Sequence, residues 1–189
     1  MNAGRILRSD ELVPVPWRNG QGVTRELAIA PPGADTDDFL WRVSLADVVG
    51  PAPFSLFPGV DRSIVLIDGA GFRMTLDGTQ EHDLTTRCVP FAFPGEAAVA
   101  VALAGGPTRD FNLMLRRGRV VGGIDVWRGP SVHDCPADLV LLHAVQGSIV
   151  TPAGTLGRGD SWLAAHAPAG QVALAAGAVA LVVQVHDAR

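Results

Sequence analysis

Apolar and polar residues alternate along most of this chain, and few stretches hold a helical period for ten residues. From Leu40 to Leu45 the alternation puts Trp41, Val43 and Leu45 on one face of a predicted strand and Arg42 and Ser44 on the other. The run Thr24–Ile29 behaves similarly, with Thr24 and Glu26 pointing the same way. In Asp110–Leu115, the residues Asp110, Asn112 and Met114 alternate with Phe111 and Leu113, so an apolar face packed outward turns Asp110 and Asn112 into a barrel interior. Further strands are predicted at Ser63–Ile67, Phe72–Leu76, Val99–Leu103, Val121–Trp127, Leu139–Ala144, Ser148–Thr151 and Ala180–His186, with one helical turn at Ala46–Val49. The chain has 22 Gly and 14 Pro in 189 residues, concentrated between these runs, as an all-β protein with many tight turns requires.

The pattern repeats. Val65 to Gly71 leads through a short apolar segment to Gly78, and Leu141 to Gly147 leads through another to Gly154, 76 residues later in both glycine pairs. An apolar strand closes each unit, Phe111–Leu115 in the first and Ala180–Val185 in the second. Such duplication predicts two jelly-roll (double-stranded β-helix) barrels packed together, one over residues 1–118 and one over 119–189, with the first strands crossing to the other half. The halves differ in chemistry. Arg62, Arg109, Asp110 and Asn112 accompany strands of the first half, whereas the matching strands of the second are Leu, Val and Ala, with Gln184 and His186 near the end. Unpaired buried polar groups cost ~1–3 kcal/mol each, so a ligand pocket is expected in the first half.

Composition narrows the chemistry. All 15 basic residues are Arg, which excludes Schiff-base catalysis, a P-loop and any catalytic Lys. A formal charge of −4 argues against nucleic acid as a partner. Arg116, Arg117 and Arg119 around Gly118 read as a solvated turn, and Asp61 as a partner for its neighbour Arg62. Cys88 and Cys135 are far apart and read as small buried hydrophobes. The N-terminus lacks an apolar leader, and Val172–Val183 is short of the ~20 residues of a membrane span, so the expectation is a cytoplasmic chain without a membrane partner.

The densest chemistry lies in Pro16–Glu26, where Asn19-Gly20 and Gly20-Gln21-Gly22 free the backbone and Trp17 can anchor the loop. Then come Trp41-Arg42-Val43-Ser44, Phe54-Ser55-Leu56-Phe57-Pro58-Gly59-Val60-Asp61-Arg62 and Asp110-Phe111-Asn112-Leu113-Met114. A second Phe-Pro-Gly stands at Phe93–Gly95, and both read as structural turns. The four segments, in this order, resemble the HutD/Ves family of the cupin superfamily over about Leu7 to Arg117. Arg18 stands where that family has Lys, and Gln21 where it has the middle Gly, so no primary amine is required at position 18.

The resemblance implies a bicupin fold, a pocket for small carboxylates such as N-formylglutamate or urocanate, and a regulatory role in histidine utilisation, without an established activity. The expected ligand-binding residues are Asn19, Thr24, Glu26, Arg42, Ser44, Arg62, Asp110 and Asn112. Arg42 and Arg62 would clamp carboxylate through paired donors, Asn112, Thr24 and Asn19 would read amide or formyl groups, and Glu26 or Asp110 would orient the arginines or accept from a ligand N–H. Two alternatives stay open: a metal-independent isomerase or hydrolase using Glu26 or Asp110 as base, and a scaffold in which the Arg–Asp pairs are struts. A homodimer is compatible with each. No cofactor is expected, and the five isolated histidines do not form the His-x-His signature of metal cupins. Dialysed protein is therefore expected to carry no stoichiometric zinc, iron or manganese by elemental analysis, and a chelator should leave its melting temperature unchanged.

Overall fold

The computed structural model describes residues 3–166 and 168–188. Its strands begin with β1 (Arg5–Leu7), β2 (Val15–Pro16), β3 (Gly22–Ala30), β4 (Trp41–Val48), β5 (Ala52–Pro53), β6 (Val60–Asp68) and β7 (Phe72–Leu76). They continue with β8 (Gln80–Leu84), β9 (Phe91–Pro94), β10 (Val99–Leu103), β11 (Thr108–Arg116), β12 (Val120–Arg128) and β13 (Ser131–Asp134). The last are β14 (Leu139–Gln146), β15 (Ile149–Thr151), β16 (Gly154–Leu156), β17 (Ser161–Leu163), β18 (Gln171–Leu174) and β19 (Val179–Asp187). A single 3-10 turn, Ser9–Glu11, is the helical content of the described residues, none of which form a helix long and apolar enough to cross a membrane.

Two compact units result. The first is Val13–Val120; the second joins the N-terminal segment through Leu12 to the chain from Val121 onward. In the first, a six-stranded sheet runs β2-β3-β4-β11-β6-β9 and a four-stranded sheet β5-β10-β7-β8. In the second, the orders are β1-β17-β14-β19-β12 and β13-β18-β15-β16. Setting aside β1, β2 and β3, the eight remaining strands of each unit follow one order, β4-β11-β6-β9 matching β12-β19-β14-β17 and β5-β10-β7-β8 matching β13-β18-β15-β16. This is a jelly roll in each unit. The echoed segments are the β6–β7–β8 run of the first and the β14–β15–β16 run of the second.

The interiors diverge at matching places. In the second unit, Val182 lies opposite Leu142, and both belong to a core with Ile149, Leu156, Trp162 and Val172. The corresponding strand pair of the first unit sets Asp110 opposite Leu66. Around it Ser44, Arg62 and Asn112 are also buried, beside an apolar cluster that includes Ile64, Leu66, Phe72, Met74, Val99 and Val101.

One local expectation is corrected, and one strand is new. Ala46–Val49 does not form a helical turn, because β4 continues through Val48, with Ala46 paired to both Thr24 and Asp110. Strand β8 was hidden by its composition: Gln80, Glu81, His82 and Asp83 show no apolar alternation, and pairing with β7 holds them extended.

The turn glycines carry unequal burdens. Gly71 has φ +83°, and a Cβ there would lie 1.9 Å from the Leu84 carbonyl oxygen; Gly78 has φ +71° with open space around it. Gly78→Ala is expected to cost about 1–2 kcal/mol from the left-handed backbone alone. Gly71→Ala should cost ~1–3 kcal/mol more, because the carbonyl must also move. Urea denaturation of the two variants checks the order.

Candidate functional site

The register of three strands assembles the site. On β11, Met114 lies between Arg42 of β4 and Arg62 of β6, Asn112 between Ser44 and Ile64, and Asp110 between Ala46 and Leu66. Directly opposed residues of paired strands share a face, so alternate residues of β11 point into the same space as Arg42, Ser44 and Arg62. That space is a cavity of about 700 Å³. Seven of the eight residues expected at a binding site line it: Asn19, Thr24, Arg42, Ser44, Arg62, Asp110 and Asn112. Glu26 does not. It pairs with Ser44 in the register and accepts a 2.8 Å hydrogen bond from Arg42 Nε, holding that side chain from outside the lining.

Arg62 is buried at 6% exposure without a direct ion pair among the described residues. Its Nη2 donates to Asn112 Oδ1 at 3.0 Å, and Asn112 Nδ2 in turn donates to Asp110 Oδ1. Arg62 Nε and Asp110 Oδ2, both buried, have no hydrogen-bond partner among the described residues. Aromatic faces supply what carboxylates do not. The guanidinium carbon lies 4.8 Å from the ring centre of Phe93, 5.3 Å from Phe54 and 5.6 Å from Phe57. Burial, aided by repulsion from Arg42 and opposed by Asp110, lowers the Arg62 pKa to about 10, which leaves it charged at neutral pH. Burial pushes the Asp110 carboxyl up to about 7, against the pull of Arg62 and the Asn112 bond, with Asp47 adding to the rise.

The loop before β3 forms a wall. Trp17 N donates to Gly22 O, Gly20 N to Trp17 O, and Gln21 N to Asn19 Oδ1, so the Asn19 carbonyl is engaged in its own turn. Thr24 Oγ1 accepts from Trp17 Nε1 at 2.8 Å, fixing the indole in the lining. Gly22 is required by closeness, since a Cβ there would meet the Trp17 ring and the Asp47 carbonyl.

Sequence reasoning missed the aromatic half of the site. Phe54 and Phe57 line the cavity, and the signals for them were the family segment Phe54–Arg62 and the twice-used Phe-Pro-Gly. The two turns are bonded to each other, Phe57 N donating to Gly95 O at 2.8 Å and Gly95 N to Val60 O at 2.7 Å. They bring Phe57 and Phe93 onto Arg62, so the motif is structural in a way that serves the site. Asp61 is not the partner of Arg62; adjacent strand residues point to opposite faces, and Asp61 accepts from Arg117 Nε instead. Nor is the basic turn merely solvated. Arg117 also pairs with Glu96, which it holds at a pKa of about 2, and Arg116 lies over the Phe39 ring.

Among the described residues no three His, Cys, Asp or Glu side chains converge. Three arginines line the cavity, Arg18, Arg42 and Arg62, against one acidic residue, Asp110. That set repels a divalent cation and does not fit a cupin metal.

Asp110 gives the stability a pH dependence. A carboxyl whose pKa is raised by folding binds more protons folded than unfolded, so its contribution is complete below about pH 4, declines as pH rises, and is gone above about 7. The carboxylates that arginines help to lower, Asp47, Asp83, Glu96 and Asp160, work at lower pH. Stability to urea should therefore fall between pH 5 and 7 by a few kcal/mol at most, since each tenfold gain in proton affinity on folding is worth ~1.4 kcal/mol. Asp110→Asn should flatten that slope.

The HutD family model matches residues 9–182. An uncharacterized 21.2 kDa protein in the hutC 3' region of Pseudomonas putida is 36% identical over 149 residues, 79% of this chain and 77% of that protein. Protein Ves of Citrobacter koseri is 44% identical over 105 residues, 54% of this chain and 53% of Ves. The structure of HutD from Pseudomonas fluorescens SBW25 is similar at a TM-score of 0.84 and 32% identity, covering 98% of this chain and 99% of that one. A cupin barrel protein from Leptotrichia buccalis, 10% identical, shares the fold alone at a TM-score of 0.60. With the family model matched over residues 9–182 of the chain, and with the jelly rolls that cupins share, this chain belongs to the HutD family.

Proposed function

We propose that this chain binds a small carboxylate in the cavity of its first unit and acts as a regulatory binding protein in histidine utilisation. The observation that carries the reading is the excess of cation over anion in the lining, three arginines to one carboxyl whose own charge is suppressed by burial. An anion of a few heavy atoms answers that imbalance, and the aromatic walls suit a flat carboxylate such as urocanate or the extended N-formylglutamate. The regulatory part is supported by kinship: a HutD structure is similar over the whole chain, and the Pseudomonas putida relative is described as lying in the hutC 3' region.

A second reading has an observation of its own. A buried carboxyl that titrates near neutrality beside a guanidinium has the properties of a general acid or base. A metal-independent isomerase or hydrolase would use Asp110 in that role.

A thermal-shift screen of formate, N-formylglutamate, urocanate and glutamate, followed by product analysis of any stabilising acid, separates the two. A ligand recovered unchanged supports the binder; conversion supports the enzyme. For the binder, Arg42→Ala is expected to weaken the best acid ten- to hundredfold, because a charge-assisted contact is worth ~1.5–3 kcal/mol. Arg42→Lys should restore part of it, since a point charge lacks paired donors. Calorimetry on folded variants measures both, and unchanged affinity in Arg42→Ala would remove that residue from the site.

A further inference from the structure

The Arg62–Asn112–Asp110 chain fixes where a proton can sit. Arg62 has only donors, so the Asn112 amide turns its oxygen toward Nη2 and its Nδ2 toward Asp110. Asp110 Oδ1 is therefore an acceptor, and a proton on this carboxyl belongs on Oδ2, the buried oxygen with no partner among the described residues. The charges around Asp110 come from strands flanking β11. Strand β6 supplies Arg62. Strand β4 supplies Arg42, which Glu26 of β3 holds, and Asp47, which Arg25 and Arg109 hold. The opposing sheet presents Met74, Val99 and Val101 to the same core. Arg62 is thus the cation against which the Asp110 charge is set, and among the described residues the guanidinium has no other carboxylate.

Of the cavity's other two arginines, Arg42 is held by Glu26 and Arg18 is exposed, so an anion docked against Arg62 competes with Asp110 for that one buried cation. Two carboxylates close together in a site shielded from water do not both stay ionised, and the one already disfavoured by burial takes the proton. We propose that the site takes up a proton with its ligand: a carboxylate bound against Arg62 replaces Asp110 as counter-ion, and Asp110 is protonated on Oδ2. The inference rests on the carboxylate-binding reading and adds that the ligand enters as an anion accompanied by a proton from solvent, so that the net charge of the cavity is unchanged. Because burial already raises the Asp110 pKa to about 7, the coupling operates between neutral and mildly alkaline pH. Asp110 then limits which acids bind and at what pH, without touching the pairing geometry that Arg42 provides.

The test uses the full chain and formate as the probe, with N-formylglutamate as a second. Calorimetric titrations at pH 8 in two buffers of different ionisation enthalpy should differ in heat by an uptake approaching one proton per formate, falling toward none at pH 5. The dissociation constant should rise by up to tenfold per pH unit above 7, the limit for one linked proton. Carboxyl-carbon NMR should show the Asp110 titration midpoint moving upward when formate is added. Asp110→Asn, whose side-chain oxygen can still accept from Asn112, should bind formate without proton uptake and with an affinity flat from pH 6 to 9. Equal heats in both buffers with pH-independent affinity would overturn the coupling while leaving carboxylate binding intact. No binding of either acid to the wild-type chain would overturn both. Should Asp110→Asn not fold, the wild-type calorimetry and NMR still decide the question.

Discussion

A guanidinium group taken out of water beside the cavity of a jelly roll constrains everything near it. Removing such a charge from solvent costs several kcal/mol even after relaxation, and the protein has to offset that cost locally. Around Arg62 the offset comes from three phenylalanine faces, one amide oxygen and a carboxyl held one residue away. A desolvated cation over an aromatic ring gains up to ~2 kcal/mol, so rings are a strong substitute for a counter-ion, and they are hydrophobic enough to belong in a core. The two interlocked Phe-Pro-Gly turns follow from this requirement, since they deliver Phe57 and Phe93 to a single side chain.

The same constraint explains how one strand order yields two different interiors. In the second unit the barrel is filled by side chains such as Trp162, Leu142 and Val182, and nothing polar has to be accommodated at the place corresponding to Asp110. In the first, Arg62, Asn112 and Asp110 occupy matching strands, and charged groups that must keep some distance leave room between them. The added strands differ as well. β3 extends the first unit beside β4 and carries Thr24 and the Trp17 loop into the cavity wall, whereas β1 extends the second beside β17.

Much of this was legible in the sequence, for identifiable reasons. Period-two alternation with large apolar residues on one side determines register, which is why Arg42, Ser44, Asp110 and Asn112 could be assigned to one face from the alternation alone. Side chains that act across a cavity were not legible in that way. Phe54, Phe57 and Phe93 look like ordinary core residues, because cation–π contact leaves no spacing signature. Glu26 was assigned to the right face, opposite Ser44, but its carboxylate is engaged with Arg42 Nε outside the lining. Polar edge strands such as β8 were invisible because pairing, and not burial of an alternate face, keeps them extended.

Whether the polar cluster is a site or a strut can be argued from the struts this protein also contains. Where the chain needs a structural ion pair it makes one directly: Asp47 accepts from both Arg25 and Arg109, and Arg117 from β11's following turn reaches Asp61 and Glu96. Those pairs are partly or fully solvated, so their charges are screened beyond a Debye length of ~8 Å at physiological salt and carry little cost when perturbed. Arg62 and Asp110 depart from that pattern in every respect. They are buried, they are separated by an interposed amide, and each keeps one polar atom unbonded among the described residues, Nε and Oδ2. A strut evolved only for stability would close that gap, because direct contact would satisfy both atoms at once and an apolar pair would avoid the problem altogether. The second unit shows that an apolar solution is available at this point of the fold, with Val182 against Leu142. Retaining an incompletely satisfied cation beside a cavity is therefore a cost without a structural return, and an anion supplied from outside would offer the acceptor that Arg62 Nε lacks.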